Sequence, residues 1–369
     1  MKIIHVINSF DIGGNEKLLE LLIDKINRDK FKQEVIFLDR RKDKSTYLKD
    51  FAERKGLKCY VIAMKGNYDI SVLPKLKNII ETSKPDVVHT HLVLSQIYGR
   101  IAAKLANAGK IISSEQNRYD FKQRLPYRLL EKTLSGSTTK IVAASNGVKE
   151  FLVENIGLAE GKVDVIHNCV KVESFTDSGI NTANYRKLLG VESNIVIGAL
   201  GHLHEQKGHK YLIEAACEVI KYRPDAVFLV GGSGPLKKKL QLRIKNAGLE
   251  KKFRLLGFVK NVKSFLHSLD IFVMPSLWEG FGISAAEAMA CGKPVIASKI
   301  DGLSDIVDDS ETGFLIEPAN SIELADKIIR LCRDPAERTA MGDLAGERVK
   351  RFSWEHIIPK FEELYLEKT

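Results

Sequence analysis

Two glutamates, Glu279 and Glu287, flank a glycine turn in the stretch PSLWEGFGISAAEAMACGKPVIAS, Pro275–Ser298. Ionised carboxylates accept hydrogen bonds, so a pair of them can hold a ligand by its hydroxyl groups. Gly280 and Gly282 leave the turn without side chains. A helix starting near Ile283 would offer unpaired N–H groups and the positive end of its dipole, the natural seat of an anion. Glu287 would lie about one turn in, where it can accept from the vicinal hydroxyls of one sugar, while Glu279 reaches a second. Glutamates at this spacing are common on solvated surfaces. Their position between the apolar runs DIFVMPS and CGKPVIAS gives them weight.

A cation stands in a comparable place. After NIVIGALG comes HLHEQKGHKYL, where Lys207 and Gly208 precede a helical pattern. An ammonium and free backbone N–H groups there can sit beside a phosphate. That contact is worth about 4 kcal/mol at 4 Å with an effective dielectric near 20, before desolvation is subtracted. Taken alone, Lys207 also reads as an ordinary solvated lysine. VGGSGP, Val230–Pro235, follows another strand. Its glycines serve either close ligand approach or a tight turn, and they do not form the dinucleotide fingerprint G-x-G-x-x-G.

The elements that must position these groups alternate along the chain. Apolar runs KIIHVI, EVIFL, KCYVIA, DVVHTH, KIISS, KIVAAS and VDVIHN fill the first half. NIVIGALG, AVFLVGG, FRLLGF, DIFVMPS, PVIAS and GFLI fill the second, with helix-length amphipathic segments between. Such alternation predicts βαβ units and parallel sheets covered on both faces. In open α/β sheets, ligands sit beyond the carboxyl ends of strands, where most of the unusual residues lie. A polar stretch, Lys171–Asn184, reads as a linker. Two Rossmann-like domains are therefore expected, 1–180 and 181–352, with the strandless closing helix 353–369 packing back on the first. Both halves open alike, with a strand, a glycine-bearing polar loop and a helix.

Together GHLHEQKG, LVGGSGP, LLGFV, DIFVMPSLWEGFGISAAEAMACGKPVIAS and TGFLIEPAN resemble the retaining glycosyltransferases of family 4, which have the GT-B fold. In the first half GGNE, PDVVHTHL, KIVAASNGVKEFL and VIHNCV agree, so the resemblance spans nearly the whole chain. It implies an α/β GT-B enzyme with a donor-binding second domain and an acceptor-side first domain facing a central cleft. The resemblance gives Glu287 the ribose of a nucleotide-sugar and Glu279 the transferred sugar. The backbone at Gly280, Phe281, Gly282 and Ile283 would take the diphosphate and sugar, with Lys207 neutralising the diphosphate beside the loop at Gly13 and Gly14. The backbone near Phe258 and Val259 would meet the base. Glu279, Lys207 and His91 are the catalytic candidates, and His91, Gln116 and Asn117 are the acceptor-side ones.

Two positions depart from the family pattern. His202 stands where many members have an arginine that supports the phosphates, and Gln116 stands where many have a histidine. A histidine clamp would depend on pH, and glutamine can hydrogen-bond but cannot shuttle a proton. The chain contains no Asp-x-Asp, the metal-holding motif of the other common transferase fold. Neither metal nor cofactor is therefore expected, and Lys207, main-chain N–H groups and a helix dipole would stabilise the leaving diphosphate. UDP is the nucleotide the family most often uses, and the acceptor would be a glycan or a lipid-linked hydroxyl. Other readings at this point are a nucleotide-sugar-binding protein without turnover, and an epimerase or phosphorylase of the same architecture.

The chain has 369 residues, 44% hydrophobic and 28% charged, with net charge +10. The charge favours anionic partners, and nucleic acid has only that bulk charge in its support. NRYDFKQRLPYRLLEK, 117–132, interleaves basic, aromatic and leucine side chains, a pattern suited to anionic lipid or a lipid-diphosphate acceptor and equally to an ordinary solvated helix with a core-facing stripe. The apolar start is too short for a signal peptide, and no run approaches the roughly 20 apolar residues of a membrane span. A cytoplasmic protein, peripheral on the membrane at most, is expected. The five scattered cysteines read as reduced thiols.

Overall fold

Every apolar run singled out in the sequence becomes a strand. The computed structural model describes residues 1–10, 14–40, 46–176, 179 and 181–367. The chain forms two units, Met1–Cys169 with Trp354–Thr369, and Val170–Ser353.

In the first unit, β1 (Lys2–Ile7), β2 (Lys32–Asp39), β3 (Lys58–Ala63), β4 (Val87–His91), β5 (Lys110–Glu115), β6 (Lys140–Ala143) and β7 (Val163–Val165) form one parallel sheet, ordered 3-2-1-4-5-6-7. In the second, β8 (Ile195–Leu200), β9 (Ala226–Gly231), β10 (Phe253–Gly257), β11 (Ile271–Met274), β12 (Val295–Ser298) and β13 (Gly313–Ile316) form another, ordered 10-9-8-11-12-13. Each sheet grows first one way from its opening strand and then the other. The reversal falls between β1 and β4, and between β8 and β11, and it opens a crevice at the strands' carboxyl ends.

Successive side chains of the second sheet enter opposite cores. Val196, Val227, Leu229 and Phe272 join one cluster, while Ile197, Phe228, Val230, Ile271 and Val273 join the other. Both faces are covered by helices, so the strands read as unbroken apolar runs. Each such buried side chain contributes roughly 1.5–3 kcal/mol. The closing helix, Trp354–Leu366, completes the first unit. Its Ile357, Ile358, Phe361, Leu364 and Tyr365 pack with Leu18, Leu21 and Leu22 of the Gly14–Lys25 helix.

The units part at 169/170, earlier than the boundary expected at 180/181. Val170 N donates to Phe352 O at 3.0 Å, and Val172 is buried with Val349 and Phe352 in the second unit's core. The stretch read as a linker includes a helix, Val172–Thr176, and the start of another, Thr182–Leu189. Apolar burial at Val170 and Val172 outweighs the polar composition around them. No helix among the described residues is long and apolar enough to cross a membrane.

Candidate active site

The second unit's switch point brings Lys207 and Glu279 into contact. Beyond β8 the chain turns through Gly201 and His202 into a short 3-10 segment, Glu205–Lys207, and then the His209–Tyr222 helix. Beyond β11 it runs through Pro275–Trp278 to Glu279. The loops are joined by Leu277 N donating to Gln206 O at 2.7 Å and by Gln206 Nε2 donating to Trp278 O at 2.9 Å. Gly208 makes this approach feasible. Its φ is +61°, and a Cβ there would lie 1.9 Å from Pro275 O.

Lys207 Nζ then donates to Glu279 Oε1 at 2.5 Å, and Ser276 Oγ donates to the same oxygen at 2.9 Å. Glu279 Oε2 has no hydrogen bond among the described residues, so it is open to a ligand hydroxyl. The carboxylate is largely buried, with 8% of the side chain exposed against 18% for Lys207.

The turn after Glu279 ends at Gly282, whose φ of 94° caps the Ile283–Ala290 helix. Ser284 Oγ donates to Leu200 O at 3.0 Å, tying this helix start to the end of β8. The helix's positive end therefore faces the same crevice as Lys207. Phe281 is buried and packs edge-on against Phe352 at 5.2 Å, so at this position only main-chain groups are offered to a ligand. Glu287 is also buried, on the second turn of the helix. His202 is exposed in the Lys207 loop. Behind that loop, burial lowers the His209 imidazole to about 4, with Lys207 adding to the shift. At the neighbouring strand end, Gly232 N donates to Gly257 O at 2.7 Å. Phe258 just beyond is 85% exposed, while Val259 is buried.

The other candidates belong to the first unit. Gly13 lies outside the described residues, and Gly14 opens the first helix. Asn8, at the end of β1, accepts from Ser95 N at 3.1 Å and from Ser95 Oγ at 3.0 Å, which joins β1 to the helix after β4. His91 ends β4 and is buried. Leu92 follows it with a φ of 66°, a costly conformation for a branched side chain and one that clusters at functional sites. Gln116 is buried, and its Oε1 has no hydrogen-bond partner among the described residues. Asn117 is half-buried, and its Oδ1 accepts from Arg118 N at 2.8 Å.

One ring nitrogen from each of the buried His5, His89 and His91 lies within 4.8 Å of the others, close enough to suggest a metal. Five of their six ring nitrogens are instead engaged in hydrogen bonds. His5 Nδ1 pairs with His91 Nε2 at 3.1 Å and His5 Nε2 with Gln33 Oε1 at 3.0 Å. His89 Nδ1 pairs with Tyr365 Oη and His89 Nε2 with Ser114 Oγ, each at 2.7 Å. Burial lowers His5 to about 4 and His91 well below the usual imidazole range. A buried ion network lies at the end of β5. Lys122 binds Glu115, and Glu131 binds Arg100 at 2.7 Å and Lys122 at 3.5 Å. Burial pushes the Glu115 carboxyl up against the pull of Lys122.

Ser276, Gln206, Ser284, His5 and Gln33 are parts of these arrangements that residue type alone did not single out. A polar residue inside or just after a strand is the sequence signal His5, Gln33 and Ser276 carry, while Gln206 and Ser284, in helical segments, carry none.

Residues 181–348 match the family described as Glycosyl transferases group 1, and residues 12–174 match Glycosyltransferase Family 4. The chain is 30% identical over 310 residues to the UDP-Gal:alpha-D-GlcNAc-diphosphoundecaprenol alpha-1,3-galactosyltransferase of Escherichia coli, covering 81% of this chain and 80% of that enzyme. It is 27% identical over 267 residues to the 2-deoxystreptamine glucosyltransferase of Streptomyces kanamyceticus, covering 68% of this chain and 69% of that enzyme. Among solved structures, Anabaena HepE in complex with UDP-glucose aligns with a TM-score of 0.85 at 22% identity over 99% of both chains. The lipopolysaccharide outer core galactosyltransferase WaaB in its apo form aligns with a TM-score of 0.75 at 19% identity over 98% of both. With two parallel Rossmann-like sheets and matches along nearly all its length, the chain belongs to glycosyltransferase family 4 and has the GT-B fold.

Proposed function

We propose that this glycosyltransferase moves a sugar from a UDP-sugar to a hydroxyl of a glycan or lipid-linked acceptor, with retention of configuration and without a metal ion. The observation that carries the reading is the convergence of Lys207 and Glu279 in front of the glycine-capped Ile283–Ala290 helix. A diphosphate seated there would meet an ammonium, main-chain N–H groups and a helix dipole, which together supply the positive charge a departing UDP requires. Glu279 Oε1 is taken by Lys207 and Ser276, which leaves Oε2 to orient the transferred sugar. Glu287 would accept from the ribose hydroxyls, and main-chain groups near Phe258 and Val259 would meet the base.

Glu279 is assigned a positioning role, its Oε1 being held by Lys207 and Ser276. Attack on the face that UDP leaves, with the departing phosphate drawing the acceptor's proton, fits that arrangement. Rate enhancement would then come chiefly from holding two substrates in register. UDP is favoured because the Escherichia coli relative is named for UDP-Gal and HepE was solved with UDP-glucose. The acceptor hydroxyl is assigned to the first unit, at His91, with Gln116 and Asn117 just beyond the end of the paired strand β5.

A lipid-linked acceptor suits one surface of that unit. The Leu125–Ser137 helix turns Glu131 and Leu134 inward. Arg124 just before it and Arg128 and Lys132 along it, four residues apart, are exposed beside Leu125 and Leu129, which are 59% and 54% exposed. Neighbouring basic side chains each add about 1 kcal/mol of attraction to an anionic leaflet. We assign this face to the cytoplasmic membrane surface.

The decisive experiment incubates the full chain with a panel of UDP- and GDP-sugars and lipid-diphosphate sugar acceptors, with and without EDTA. The reading expects UDP-dependent transfer that survives chelation and yields the donor's own anomer. Loss of transfer on chelation, or an inverted product, overturns it.

A further inference from the structure

We propose that Gln33 and His5 are positioning residues that hold His91 as its Nε2–H tautomer, leaving the Nδ1 lone pair as a neutral acceptor for a substrate hydroxyl. This rests on the reading above that His91 meets the acceptor. The order of protons follows from a chain that starts at a backbone carbonyl. Gln33 Nε2 donates to Leu22 O at 3.3 Å. A carbonyl can only accept, so this contact sets the amide's orientation and turns Gln33 Oε1 toward His5. Oε1 accepts from His5 Nε2 at 3.0 Å, so His5 carries its proton there. A neutral imidazole has one N–H, and His5 Nδ1 is therefore bare. Facing it at 3.1 Å is His91 Nε2, which must donate. His91 Nδ1 then carries the lone pair, and it has no hydrogen bond among the described residues.

The surroundings keep the chain in one state. His5 and His89 are register partners on adjacent strands. Both nitrogens of His89 are taken by Tyr365 and Ser114, so His89 cannot exchange places with its neighbour. Tyr365 reaches the cluster from the closing helix, and burial lifts its phenol well above the ordinary value, so it stays uncharged. Those groups around His91 are thus neutral, and desolvation opposes a second proton on any of the three rings. His91 in this setting orients a hydroxyl and does not carry its proton away. That agrees with a leaving phosphate taking the proton.

The test is nitrogen NMR on the full chain with 15N-labelled histidine. The nine histidines make a tractable spectrum, with His91 assigned by its loss in His91→Ala. A protonated Nε2 and a bare Nδ1 at pH 7 are expected for His91, and Gln33→Met is expected to mix the tautomers and lower kcat about tenfold with little change in donor KM. A protonated Nδ1 or an imidazolium in the native chain overturns the proposal, as does a Gln33→Met spectrum unchanged at His91. Unaltered turnover in His91→Ala, with the tautomer as stated, overturns the acceptor role and leaves the proton order standing.

Discussion

Replacing Lys207 with methionine removes the ammonium and its charge while keeping most of the unbranched stem, and the geometry sets what should follow. The ammonium lies 2.5 Å from Glu279 Oε1, with both side chains mostly out of water. Losing it leaves a desolvated carboxylate held by Ser276 alone, a cost of about 2 kcal/mol. For a unit of this size that is a fall of about 4–8 °C in the melting midpoint. Toward a diphosphate the same ammonium is worth about 4 kcal/mol at 4 Å, less about 2 kcal/mol for loosening its grip on Glu279. The loss in kcat/KM should therefore lie between about 30-fold and about 1,000-fold. A second substitution separates the two effects. Lys207→Met with Glu279→Gln removes both charges, so stability should return toward that of the native chain while activity stays low. Calorimetric melting and initial rates with a UDP-sugar read the two quantities independently. The reasoning fails if the double variant is no more stable than Lys207→Met, or if Lys207→Met loses less than tenfold in kcat/KM.

Glu287→Ala should weaken UDP binding by 1–3 kcal/mol, about 5- to 150-fold, since a charged acceptor for hydroxyls is lost; an unchanged calorimetric Kd would remove the ribose assignment. His5 and His209 are each held at about 4 by burial, while the unfolded chain titrates near 6.5. Their contribution is fully present above about pH 6.5 and is lost as the pH falls toward 4, amounting to about 2 kcal/mol each by pH 5. Urea midpoints should show this slope, and His5→Gln should flatten it; an equal slope in the variant would refute the assignment. Charge reversal at Arg124 and Arg128 together should abolish co-sedimentation with vesicles containing anionic lipid and leave turnover of a water-soluble acceptor intact; unaltered sedimentation would end the membrane assignment.

Much of the architecture was legible because parallel strands buried on both faces announce themselves as apolar runs, as AVFLVG does in β9. The helix starting at Ile283 was equally plain, with glycines before it and alanines after. Contact between Lys207 and Glu279 was not legible, since it depends on β8 and β11 lying side by side. That adjacency is a property of strand order, and 72 residues of chain separate the partners. His5 shows why local pattern runs out. One histidine inside the apolar run KIIHVI carries no local signal of its own, and only the register that sets it opposite His89 reveals a cluster. The polar stretch after Val170 misled for a related reason. Two valines buried against Val349 and Phe352 decide its place, and neither partner is near in sequence.

The Trp354–Leu366 helix gives the chain an order of assembly. Leu18, Leu21 and Leu22 are covered by residues made only after the entire second unit has been translated. While the ribosome works through Val170–Ser353, the first unit waits with an apolar face bare and His89 without its tyrosine. Such a nascent intermediate invites aggregation. Expressing residues 1–169 alone would preserve that vulnerable stage, and supplying residues 354–367 as a separate peptide would be the way to relieve it.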